Sequence, residues 1–272
     1  MGKITLEQRN RFAAKEKELR RTIEAGQAKE KTLLDLLAHD ENGAAYKRLH
    51  LAEEVLDLSS WYLLVSNISV SMLGIKNEDY LIEGRKVLVR ALKYVEDTTT
   101  GCLDCPISDY EANLDAIADL SIEARSHLMR KFGFAIQSYE EAFGENSKYT
   151  WSFIELWGKF AAVAKNIIDL RTVVADTDFN SPSRPILLGY LSFVKNTFQR
   201  CADRYRAKYE LYTNKADDFK QAIVFLETLR RINIALGERD EAETLKKKIN
   251  VWKAKLEADS KKSEHGSGQE RR

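Results

Sequence analysis

Two thiols stand three residues apart in Gly101-Cys102-Leu103-Asp104-Cys105-Pro106, the stretch of this chain richest in reactive side chains. A Cys-x-x-Cys pair can exchange disulfides, and a helix opening just after it lowers a thiolate's pKa through its free N-terminal amides. The same pair could supply half of a tetrahedral zinc site. Neither chemistry has a framework in the sequence. Thioredoxin-like pairs sit beside a βαβ pattern, and no such pattern occurs here. A closed zinc site needs four ligands, and Cys201, His39, His50, His127 and His265 have no metal-binding spacing. The favoured reading is therefore a structural or incidental loop pair. A redox loop at Cys102 and Cys105 and a metal-binding pair stay open as alternatives.

Carboxylates are the second group that could do chemistry. Segment 96–124 holds Glu96, Asp97, Asp104, Asp109, Glu111, Asp115, Asp119 and Glu123, without a lysine or arginine. A helix through 108–143 puts Glu111, Asp115, Asp119 and Glu123 on one face. Like charges at that spacing cost a few tenths of a kcal/mol per pair, so a basic counterpart elsewhere in the fold is expected. A di-iron bundle needs Glu-x-x-His pairs, but the residues three before the histidines are Leu36, Lys47, Ala124 and Lys262. Neither a P-loop nor a Gly-x-Ser-x-Gly elbow occurs, so no catalytic residue, metal ligand or cofactor is assigned.

The opposite charge collects at 184–215. Arg184, Lys195, Arg200, Arg204, Arg206, Lys208 and Lys215 are opposed there only by Asp203 and Glu210. Arg200, Arg204 and Lys208 share a helix face and form a candidate basic interaction surface. The interleaved Phe198, Cys201, Tyr205, Tyr209 and Tyr212 read as a stripe facing the core rather than a base-stacking platform. Over all 272 residues, 43 basic side chains meet 42 acidic ones for a formal charge of +1. That balance argues against nucleic acid as the partner and favours an acidic protein surface.

These groups must be positioned by helices. Only three prolines occur, at 106, 182 and 185, each where the apolar pattern breaks. Elsewhere apolar residues recur three and four apart between charged ones, and no segment sustains strand alternation. The prediction is an all-α array or bundle of about eight mostly antiparallel helices. Thr5 and Gln8 form a capping box for the first helix, and Gly74 closes a strongly apolar second one. That helix carries Leu51, Val55, Leu58, Trp61, Tyr62, Val65, Ile68 and Met72 as its stripe. Asn77 caps a third helix, Ser108 with Glu111 a fourth, and Ser147 opens an aromatic fifth through Leu170. Pro185 suits the first turn of a helix reaching Thr213, and helices near 217–236 and 238–258 complete the count. Residues 1–260 read as one domain with a subdivision at 176–184, and 261–272 as a disordered tail.

Val55 to Leu73 is apolar enough to raise the question of a membrane span. Asp57, Asn67 and the serines within it favour a buried core helix. The opening residues run into charged sequence without an apolar core, so a cytoplasmic protein without a membrane partner is expected.

Gly237-Glu238-Arg239-Asp240-Glu241-Ala242 resembles the turn and second-helix opening of tetratricopeptide repeats, and Asp218-Phe219-Lys220-Gln221-Ala222 is similar to another such opening. Asp218 and Glu238 stand closer than tandem copies, which recur at about 34 residues. Over 218–256 the resemblance implies an α-solenoid-like protein-binding surface. Read without it, the same residues form a terminal helical hairpin. Taken together, the residues predict a non-enzymatic helical adaptor, scaffold or structural protein that binds another protein, or a copy of itself, through charge-segregated helix faces. The competing expectation is a small-molecule-binding helical protein, or an enzyme whose active site matches no motif.

Overall fold

The computed structural model describes residues 4–40, 42–145, 147–175 and 181–269, with the side chains of 175 and 262–269 left aside. Among these residues there are ten α-helices and no strand. The chain separates into two compact units. The first comprises 1–101 and 110–156, the second 102–109 and 157–272, and the boundary falls inside a helix. The subdivision expected at 176–184 lies partly outside the described residues.

The first unit is built on α1 (Leu6–His39), α2 (Ala44–Leu73), α3 (Glu78–Thr98), α4 (Glu111–Asp115) and α5 (Ile122–Phe143). Thr5 and Gln8 form the capping box expected of them, and Asn77 accepts the Tyr80 amide at the start of α3. Gly74 ends α2 with φ 66°, a left-handed turn in which a Cβ would be strained. Lys29 meets Glu54 while Gln27 meets Tyr62, so α1 and α2 run antiparallel. In contrast, α1 and α3 run in the same direction. Tyr80 Oη donates to Glu16, and Arg90 grips Glu30 with two hydrogen bonds of 2.6 and 2.8 Å. Leu51, Val55, Leu58, Tyr62 and Val65 of the expected α2 stripe are buried, but Trp61 is 37% exposed.

The helix expected to run unbroken through 108–143 is divided. A 3₁₀ turn at Ile107–Asp109 and the short α4 are followed by tight turns, and Ser121 rather than Ser108 caps the long helix. The turns use three-residue bonds, Ile117 N–H to Leu114 O and Leu120 N–H to Ile117 O. Arg125 holds this break from the next helix. Its Nε donates to Leu120 O at 2.8 Å and its Nη2 to Ile117 O at 2.5 Å. A side chain five and eight residues downstream thus satisfies carbonyls that a continuous helix would have paired itself.

The second unit contains the end of α6 (Thr150–Asn166), α7 (Leu170–Ala175), α8 (Arg184–Lys208), α9 (Ala216–Ala235) and α10 (Arg239–Gln269). The aromatic helix therefore starts three residues after Ser147 and stops before Leu170. Pro185 lies in the first turn of α8, as its fixed φ favours. A π-helical turn at Tyr209–Thr213 continues α8 and closes on Asn214, whose N–H reaches Tyr209 O at 3.0 Å. Tyr205 stacks on Phe225 and Tyr209 on Phe219, which seats α9 antiparallel to α8. Gly237, with φ 78°, makes the turn into α10, and Ala222 and Ala242 are both buried in the resulting hairpin. α10 runs past the expected end at Ala258, through Gln269, into the stretch expected to be a disordered tail. Residues 270–272 lie outside the described set.

Candidate functional site

The basic surface is spent largely inside the second unit. Arg200, Arg204 and Lys208 do lie along one side of α8, but Lys208 is paired with Asp218 at 2.8 Å, with side chains only 12% and 13% exposed. Arg200 lies over the Trp157 ring at 4.8 Å. Neighbouring charges are matched in the same way. Lys195 meets Glu238 at 2.6 Å, Lys248 meets Asp203 at 3.1 Å, and Arg206 and Lys255 share Glu210 at 3.0 and 2.8 Å. The Lys255 hydrogen bond is the main cause that holds the Glu210 carboxyl below the usual range. Charge segregation along the sequence therefore becomes charge pairing between α8, α9 and α10.

The acidic set does not form the face that helical spacing predicts. Glu111 and Asp115 belong to α4, Asp119 lies in the turns, and Glu123 opens α5. The break at 116–120 removes the stacked like charges that an unbroken helix would have carried. Asp115, Asp119 and Glu123 are exposed, and the Asp119 amide is fixed by Tyr46 Oη at 3.1 Å. Among the described residues, no three or more His, Cys, Asp and Glu side chains converge on a site that could hold a metal ion.

The cysteine pair sits in a loop anchored at two points within the second unit. Asn166 Nδ2 donates to the Cys102 carbonyl at 2.8 Å, and Asp104 pairs with Arg231 of α9. Neither thiol is in a disulfide, and Cys102 is exposed while Cys105 is half-buried. The Cys105 thiol lies 3.8 Å from the Cys102 carbonyl and within hydrogen-bonding reach of the Cys102 thiol. Burial pushes Cys105 up to about 11, with the Cys102 contact adding to it. Beside the pair stands Lys165, in the last turn of α6 and only 7% exposed. Burial lowers its pKa, and the two thiols are what oppose that shift. Sequence reasoning missed Lys165. Its signal was a single charge closing the apolar run Phe160-Ala161-Ala162-Val163-Ala164.

Also missed was an exposed aromatic ring on the first unit. Phe134 of α5 is 75% exposed, although Phe132 and Ile136 on either side are fully buried. Lys131, one turn before it, pairs with Glu53 of α2 at 2.6 Å, and Tyr139 Oη donates to Ser59 O at 2.6 Å. Those two anchors lay α5 along α2 in the same direction. Trp61 and Leu64 of α2 are each 37% exposed. Among the described residues, no helix is long and apolar enough to cross a membrane.

The TP0443 family model matches residues 8–260. No curated protein matches, and no solved structure does.

Proposed function

The chain belongs to the TP0443 family, and we propose that it is a non-enzymatic helical adaptor or scaffold that binds another protein through the exposed ring of Phe134. The observation that carries this reading is Phe134. An aromatic ring left 75% in water between two buried neighbours costs solvation free energy that a partner would recover. Aromatic side chains of this kind are common anchors of protein interfaces. The charge-segregated faces contribute less than the sequence implies, because the bases of α8 and α10 are matched by Asp203, Glu210, Asp218 and Glu238. The exposed Asp115, Asp119 and Glu123 remain available to steer a basic partner. The α9–α10 hairpin, with its small Ala222 and Ala242 at the contact, supports helix-pair packing of the tetratricopeptide kind as a second surface of the same class.

Affinity capture with the full chain, compared with Phe134→Asp at low and high salt, tests the proposal. A specific partner, or a second copy, should be retained by the wild type at both salt concentrations and lost by the variant at an unchanged unfolding midpoint. Equal retention by the variant would refute the role of Phe134. Binding that vanishes with salt in the wild type would move the contact to charged faces instead.

A further inference from the structure

The Cys102-Cys105 loop and Lys165 hold chemistry that a protein-binding role does not use. Lys165 is only 7% exposed and adjoins Asn166, whose side chain holds the Cys102 carbonyl at 2.8 Å, and both thiols lie within its electrostatic reach. A cation so placed is stabilised when one of those thiols becomes a thiolate. The loop is also prepared for ring closure. The Asn166 and Arg231 anchors restrain it, and the Cys105 thiol lies 3.8 Å from the Cys102 carbonyl.

We propose that Cys102 and Cys105 form a dithiol site that exchanges with small disulfides such as glutathione disulfide, with the Lys165 ammonium beside the thiolate that closes the ring. Exposed Cys102 leads. Its thiolate attacks one sulfur of glutathione disulfide, a new S–S bond forms, and the first glutathione leaves as a thiolate that takes up the proton Cys102 gave to solvent. Cys105 then attacks the Cys102 sulfur of the mixed disulfide and releases the second glutathione, which is protonated in turn. Two protein thiols are oxidised to one disulfide, and one glutathione disulfide is reduced to two thiols. Lys165 acts through Cys105 and is a positioning residue. Its charge opposes the burial that holds the Cys105 proton.

Full-length protein is incubated in graded glutathione buffers, quenched by alkylation, and the peptide carrying both cysteines is weighed. The wild type should close an intramolecular disulfide and keep no lasting glutathione adduct, while buried Cys201 stays reduced. Cys105→Ser should accumulate one adduct on Cys102, and Cys102→Ser should react far more slowly. Lys165→Met should slow closure about tenfold at neutral pH and move the rise of its rate–pH profile upward by about one unit. Lys165→Arg, which keeps the charge, should restore the profile. A persistent adduct on the wild type, thiols that stay reduced under oxidising glutathione, or a Lys165→Met profile identical to the wild type would overturn the proposal. So would stoichiometric zinc retained by the two thiols.

Discussion

Replacing Gly84 by alanine should destabilise the first unit by about 2 kcal/mol, although alanine is the better helix former by about 1 kcal/mol. Gly84 lies inside α3 where that helix meets α2, and an added Cβ would stand 1.8 Å from Tyr139 Oη, 2.8 Å from its Cζ and 2.6 Å from Tyr62 Cβ. The Tyr139 ring cannot simply swing aside. It is fully buried and its hydroxyl donates to the Ser59 carbonyl at 2.6 Å, while Tyr62 Cβ is tied to the α2 backbone. Overpacking a filled core costs about 1–3 kcal/mol, and a collision with a locked ring lies at the upper end, so about 1 kcal/mol of propensity leaves a net loss. Tyr139→Phe removes the nearest atom and sacrifices one hydrogen bond, a loss of about 0.5–1.5 kcal/mol. In the double variant the two costs should overlap, giving a coupling of about 1 kcal/mol in a urea-denaturation cycle. Gly84→Ala at least as stable as the wild type, or strict additivity with Tyr139→Phe, would refute this account of the α2–α3–α5 contact.

Glu30→Ala should lower the unfolding free energy by about 2 kcal/mol. It strands the Arg90 guanidinium and the Tyr94 hydroxyl, and the cost stays below the 3–5 kcal/mol of a fully buried pair because the Arg90 side chain is 42% exposed. Arg125→Met should leave the Leu120 carbonyl without its donor and the Ile117 carbonyl with the Leu120 amide alone, at about 1–3 kcal/mol for the stranded group, and hydrogen exchange across 116–121 should accelerate. Glu210→Gln reports on acid sensitivity. The folded carboxyl titrates below its unfolded value, so its contribution is complete above the ordinary glutamate range near pH 4.3 and is lost as pH falls through the folded value. The variant should therefore lose about 0.5–1 kcal/mol at pH 7 and match the wild type once the pH has fallen below the folded value, as read from urea midpoints across pH. Each outcome is measured on the full chain.

Much of the architecture was legible locally. Thr5 with Gln8, Asn77, Gly74 and Pro185 act over a few residues of their own chain, so their spacing suffices to place a helix end. The break at 116–120 was not legible, because it depends on Arg125 folding back from α5 onto carbonyls that any sequence window counts as helical. Trp61 fitted the apolar stripe of α2 and yet faces water. Periodicity gives the direction of a side chain around its helix, not how many neighbours pack there, and the neighbours α1, α3 and α5 cover less than the stripe's width. Arg200, Arg204 and Lys208 share a face as expected, but Lys208 is paired with Asp218 of α9 and Arg200 lies over Trp157 of α6.

The sequence by itself determined that this chain is helical, where most of its helices start, and that its thiols lie in a loop, since each depends on short-range sterics, capping bonds and apolar spacing. Only the tertiary structure decided which charges are consumed between helices, that Lys165 is buried beside Cys102 and Cys105, and that Phe134 stays in water. Those outcomes depend on segments far apart in the chain meeting in space. The free energy of a charge or a ring is set by the groups around it, not by its place in the sequence.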